Sequence, residues 1–162
     1  MQIDIEYTRF KKHLTFRKVG INTEVYDPIR RKYILLQPEE LVRQLVLQYL
    51  NIEKNYPLSR MRVELGLTVN GLSKRCDILI FNKNTQPYLL VECKSIHVPV
   101  DQTVFDQIAR YNLKFKVPYL ITTNGLSTFC CKMNYVETDE EDNPPTNRSS
   151  YEFLKDIPFF PS

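Results

Sequence analysis

The chain carries two kinds of apolar pattern, and they alternate. In "QPEELVRQLVLQYLNIEK", Val42, Leu45, Val46 and Tyr49 recur at the i, i+3, i+4, i+7 spacing of one helix face. Pro38 suits the first helical position, and Glu39 and Glu40 suit the positive end of the helix dipole. Before it, "KYILL" (32–36) reads as a short strand; after it, "MRVELGLTV" (61–69) reads as a longer one. Asn70-Gly71 is a hairpin turn signal. Two apolar strands follow at 75–81 and 87–93, joined by a turn near 82–86. Asp101 is placed to cap a second helix over 102–115, with Val104, Phe105, Ile108 and Ala109 on its apolar side. Beyond Pro118, "YLITT" (119–123) and "STFCCKM" (127–133) read as strands around an Asn124-Gly125 turn. Residues 137–150 form a loop too polar to bury, and "YEFLKDIPFF" reads as a terminal helical turn folding its aromatics back on the body. Helix, three-strand antiparallel run, helix and two strands predict an α/β sandwich around a mixed sheet.

Composition changes this picture little. A chain of 162 residues, 43% hydrophobic and 25% charged, is long enough for one domain with a real core. Its longest apolar runs fall far short of a membrane span, and "MQIDIEYTRFKKH" has charge where a signal peptide needs apolar residues, so the reading is a cytoplasmic protein with no membrane partner. The cysteines at 76, 93, 130 and 131 lack paired metal-ligand spacing and read as buried free thiols. Gly66 and Gly71 have P-loop spacing, but Leu72 stands where that motif needs lysine, and the glycines lie between two strands. The net charge of +3 is uneven: residues 1–36 hold eight Lys/Arg against four Asp/Glu, and the remainder 14 against 15. A basic N-terminal segment could track phosphates or simply be solvated.

The chemistry concentrates in "RCDILIFNKNTQPYLLVECK" (75–94). Asp77 begins one apolar strand, and Glu92 and Lys94 end the next on a shared face, with Cys93 pointing away. Pairing across the turn brings both acids to one region of the sheet. Two ionised carboxylates held close repel, and burial makes the repulsion worse. A hard divalent cation resolves the conflict, polarises a phosphoryl oxygen and acidifies a bound water. Lys94 can orient that water or stabilise charge building on a phosphate. Without metal, this predicts that Asp77→Asn relieves repulsion and melts at or above the wild-type temperature. Taken alone, Glu92 and Lys94 also fit an ordinary strand-edge ion pair.

Asp77 and Glu92-Cys93-Lys94 resemble the PD-(D/E)XK nuclease motif, with Cys76 where that motif often has proline. Gln107 and Tyr111, neighbours at i, i+4, resemble the Q-x-x-x-Y element of nuclease domains in type I restriction enzyme R subunits and recombination helicase-nucleases. Together "PEELVRQ", "RCDILIF", "LLVECK", "FDQIARYN", "VPYLITTNG" and "YEFLKDIP" resemble standalone domains related to the R-subunit N-terminus, over about residues 25–160. The resemblance implies a restriction-endonuclease-like sandwich over 25–162, with 1–24 as an N-terminal extension. It implies Mg²⁺ or Mn²⁺ held by Asp77, Glu92 and the Cys93 backbone carbonyl, with Glu40 on the first helix as a further ligand and Glu39 beside it. Lys94 would activate or stabilise, and Gln107 and Tyr111 would position the phosphate or the attacking water. Glu64 reads as outward-facing.

The expected function is therefore a divalent-metal-dependent DNA nuclease domain in a restriction or DNA-processing setting. Lys74, Arg75, Lys114, Lys116 and Lys132 are its candidate phosphate contacts. Partners would be DNA and other restriction-system subunits, with a homodimer left open. The alternative is a catalytically silent nuclease fold that binds nucleic acid or protein.

Overall fold

The structure is a computed structural model. It describes the backbone of residues 1–69, 72–136 and 148–161, and within these the side chains of all but 67–69, 72–74, 102, 107, 110, 111, 113, 114, 136, 148 and 149. The Asn70-Gly71 turn and the loop 137–147 lie outside the described residues.

A 3₁₀ turn at Tyr7–His13 opens the chain. Strands β1 (Phe16–Val19), β2 (Asn22–Asp27) and β3 (Lys32–Leu35) form a small antiparallel sheet. Helix α1 (Pro38–Ile52) follows, with Pro38 in its first turn as expected. Strands β4 (Met61–Val69), β5 (Leu72–Phe81) and β6 (Pro87–Cys93) run antiparallel, and helix α2 (Gln102–Phe115) crosses over to β7 (Tyr119–Thr123), parallel to β6. Strands β8 (Thr128–Val136) and β9 (Arg148–Phe153) complete a six-stranded mixed sheet of order β4-β5-β6-β7-β8-β9.

The two faces of this sheet bury two apolar clusters. On one, Ile78, Ile80, Leu89, Val91 and Ile121 meet Val42, Val46, Leu47 and Leu50 of α1. On the other, Leu79, Leu90, Leu120 and Cys131 meet Phe105 and Ile108 of α2. The alternation of β6 between the clusters is why its run reads as continuously apolar. Asp101 caps α2, accepting from the Val104 N–H at 3.2 Å. The four cysteines are free and buried. Among the described residues, no helix is long and apolar enough to cross a membrane.

One expectation changes, and the N-terminal third adds structure that the sequence pattern leaves open. "YEFLKDIPFF" opens as a strand and not a helical turn, and that strand begins at Arg148, inside the expected loop 137–150: Tyr151 and Phe153 alternate into the α2-side cluster as β9 pairs with β8. Within the segment 1–24, Ile3, Tyr7 and Phe10 lie in the α1-side core, and β2 runs across residue 24. The small β1–β3 sheet, of which only "KYILL" was anticipated, places the turn at residues 28–31 beside α1, as Arg30 reaches Glu40 at 3.0 Å.

Candidate functional site

Strands β5 and β6 pair from Phe81↔Pro87 to Ile78↔Val91 and then part. Continuing that register would set Asp77 opposite Glu92. The ladder gives way to a side chain there: Asp77 Oδ2 accepts the Cys93 N–H at 2.7 Å. The parted strand ends hold Asp77, Glu92 and Lys94, with side-chain exposures of 11%, 17% and 24%. Lys94 Nζ donates to Glu92 Oε1 at 2.7 Å. Alternation places Glu92 with Leu90, on the α2 side of the sheet, whereas Asp77 is reached from α1.

Electrostatics follow from this crowding. Burial, then the Asp77 charge, raises the Glu92 carboxyl to a pKa of about 7, against the pull of Lys94. Burial works against the Lys94 ammonium, but the Glu92 contact and charge, with Asp77 behind it, raise its pKa on balance. Burial and Asp77 likewise push the Cys76 thiol to about 11, and they raise Cys93 well above the usual thiol value, so neither thiol is poised to react.

Arginine is the feature the sequence reading missed. Arg43 Nη2 donates to Asp77 Oδ1 at 2.6 Å, and its Nη1 reaches Glu40 Oε2 at 2.5 Å and Glu64 Oε1 at 3.4 Å. Arg30, from the β2–β3 turn, reaches Glu64 at 2.7 Å and Glu40 at 3.0 Å. Asp27 fixes Arg30 through its Nε and holds the turn through the N–H groups of Ile29 and Arg30. Asp77 still opposes the Glu92 charge, but its larger tie is to Arg43, so the expectation that Asp77→Asn relieves the metal-free fold is reversed: the change removes the partner of a buried guanidinium. A hint was present in α1, where Glu40, Arg43 and Gln44 form an i, i+3, i+4 polar stripe beside the apolar one.

The other candidates separate. Glu40 is held on both oxygens, since Arg30 and Gln44 donate to Oε1 and Arg43 to Oε2, which makes it an anchor for the two arginines. Glu39 is the helix acid that faces the site; burial and then Asp77 raise its pKa, with Lys94 opposing. Glu64 does not simply face outward, since Arg30 and Arg43 hold it. Gln107 and Tyr111 lie four residues apart on α2, but their side chains fall outside the described residues, as do those of Lys74 and Lys114. Arg75 is exposed two residues before Asp77. Lys116 and Lys132 are exposed too, but Lys132 pairs with Tyr119 at the start of β7, whereas Glu92 pairs with Thr122 near its end. Three residues of strand, about 10 Å, separate the two lysines from the acids along the sheet. Among the described residues, no three Asp, Glu, His or Cys side chains converge as a ready-made metal cage.

Comparison with known proteins adds a family. A search of curated proteins finds no match. Among solved structures, one similar chain, from Anabaena variabilis ATCC 29413, is described as a "putative nuclease belonging to DUF820". It is 16% identical, with 91% of this chain and 83% of that one covered, and a TM-score of 0.39 too loose to carry a functional conclusion. The family model described as "Type I restriction enzyme R protein N terminus (HSDR_N)" matches residues 38–158, which span α1, the parted strands and the whole mixed sheet. The chain, with helices packed on a six-stranded mixed sheet, thus belongs to the type I restriction enzyme R protein N-terminus family.

Proposed function

We propose that this domain hydrolyses phosphodiester bonds in DNA with a divalent ion held by Asp77 and Glu92. The observation that carries the reading is the parting of β5 and β6, which leaves two carboxylates and a lysine within electrostatic reach of one another at one end of the sheet. The residues fit such an ion. Six carboxylates (Asp27, Glu39, Glu40, Glu64, Asp77 and Glu92) are linked to only three cations (Arg30, Arg43 and Lys94), so the cluster carries surplus negative charge. Their oxygens are hard donors, and Mg²⁺ commonly needs only one or two carboxylates, taking its other ligands from water and substrate phosphate. The Cys93 carbonyl is the further oxygen that the family resemblance offers.

When bound, Mg²⁺ or Mn²⁺ would polarise a phosphoryl oxygen and acidify a water. The chain's own groups do the rest. Asp77 is fixed by the Cys93 N–H, which keeps one carboxylate at the strand end. Glu92, whose burial lifts its pKa to about 7 without metal, gives up its proton readily at neutral pH and would be held ionised as a ligand once the ion binds. Lys94, kept protonated beside it, supplies positive charge where a phosphate would gain negative charge. Gln107 and Tyr111 would position the phosphate or the attacking water from α2. The family name points to DNA and restriction-system subunits as partners.

The test is cleavage of supercoiled and linear DNA by the purified chain. Cutting with Mg²⁺ or Mn²⁺, its loss in EDTA and its loss in folded Lys94→Ala support the reading. Undiminished cutting by Lys94→Ala removes the assignment. A second reading, a silent module that binds nucleic acid or protein, draws on Arg43: both Asp77 oxygens already have protein donors. That reading predicts DNA binding in Ca²⁺ with no cleavage in any metal.

A further inference from the structure

Around Arg43 the geometry is that of a site closed on itself. The Arg43 side chain is 6% exposed, and its guanidinium touches four carboxylates from three elements: Glu39 and Glu40 of α1, Glu64 of β4 and Asp77 of β5. Its shortest contacts are to Glu40 and Asp77, at 2.5 and 2.6 Å. Its buried Nε has no acceptor. The Asp77 carboxylate, for its part, divides between Arg43 on Oδ1 and the Cys93 N–H on Oδ2.

We propose that Arg43 is a built-in counter-ion that holds Asp77 until a divalent ion binds, and has to release it for binding to occur. Arg43 then sets the metal concentration at which the site loads. This rests on the reading of Asp77 and Glu92 as metal ligands. A guanidinium and a divalent ion carry like charge, and both want the same carboxylate, so occupancy by one opposes the other. Release does not strand the guanidinium. Glu39, Glu40 and Glu64 already touch it, so leaving Asp77 is a short swing within a cage of acids rather than an expulsion into apolar surroundings. The unpaired Nε is a donor that a new acceptor would satisfy. Arg30 braces the arrangement: it shares Glu40 and Glu64 with Arg43 and is itself pinned by Asp27. The small β1–β3 sheet thereby acquires a role, carrying the turn that keeps two acids in place for Arg43 to swing against.

The experiment titrates the full chain with MnCl₂ by calorimetry, comparing wild type with Arg43→Met and Arg43→Lys. A counter-ion that competes with metal predicts tighter Mn²⁺ binding, tenfold or more, in Arg43→Met, although the metal-free variant melts lower. Arg43→Lys should fall between the two. A purely structural arginine predicts the opposite, since a loosened site binds metal more weakly; equal or weaker binding by folded Arg43→Met overturns the proposal while leaving the site reading intact. Absence of binding in both wild type and Arg43→Met overturns both. Should Arg43→Met fail to fold, wild-type protein decides through its arginine side-chain ¹H–¹⁵N signals: Arg43 resonances that move in step with Mg²⁺ saturation support release, and resonances unmoved at saturation overturn it.

Discussion

Glu92→Gln should change how stability depends on pH, in a direction fixed by the burial of Glu92. Its carboxyl titrates at about 7 in the fold, raised by burial and by Asp77 from the ordinary 4.5. The sign follows from proton counts. Between these two values the folded chain keeps a proton that the unfolded chain has lost, so stability falls as pH rises. Below about 4.5 both states are protonated and Glu92 costs nothing; above about 7 the whole cost is present. At 1.36 kcal/mol per pKa unit, this displacement corresponds to about 3 kcal/mol. Glutamine keeps the shape and does not titrate. Lys94 stays protonated throughout this range, so its contact adds little slope of its own. The assay is urea unfolding of both proteins in EDTA at steps from pH 4.5 to 8. Wild-type stability relative to Glu92→Gln should decline by about 3 kcal/mol, roughly 6–12 °C in Tm for a chain of this length. A difference that stays flat, or that grows with pH because the Lys94 pair outweighs burial, would refute the reasoning.

Asp77→Asn should destabilise the metal-free protein by about 3 kcal/mol, the lower end of the cost of breaking a buried ion pair, because Arg43 keeps Glu40 and Glu64 and asparagine still accepts the Cys93 N–H. Thermal melts in EDTA check this, and a variant as stable as wild type would show that the Arg43 contact contributes nothing. DNA binding in Ca²⁺ should weaken steeply with salt, and Arg75→Ala should reduce the magnitude of the slope by about 1 if Arg75 contacts one phosphate. Lys116→Ala and Lys132→Ala should leave the slope alone, given their position at the start of β7; a change with these two and none with Arg75 would move the DNA track elsewhere.

What the sequence revealed, and what it hid, divides by range. Helices α1 and α2 and strands β6 and β7 were legible because their apolar spacing is a local property, repeated every 3.6 residues or continuous in strands buried on both faces. The hairpin that presents Asp77 and Glu92 was legible for the same reason. The β1–β3 sheet was largely hidden: "FRKV" is mostly exposed, and in "NTEVYD" the fully buried residues are Val25 and Asp27. Strand β9 was hidden because "RSSYEF" becomes a strand only through its pairing with β8, from Phe153↔Cys131 to Arg148↔Val136. At the site, Glu92 and Lys94 declare themselves through polar chemistry inside an apolar run. Arg43 does not, since a charged residue on a helix ordinarily faces water. Its burial depends on Asp77, 34 residues away, and on Arg30 arriving from another sheet.

The most direct test of the account is an anomalous difference map from crystals of the wild-type chain soaked in Mn²⁺. The account predicts a peak between the parted ends of β5 and β6, about 2.0–2.2 Å from carboxylate oxygens of both Asp77 and Glu92. A fully soaked crystal with no peak there, or with Mn²⁺ bound only elsewhere, would contradict it.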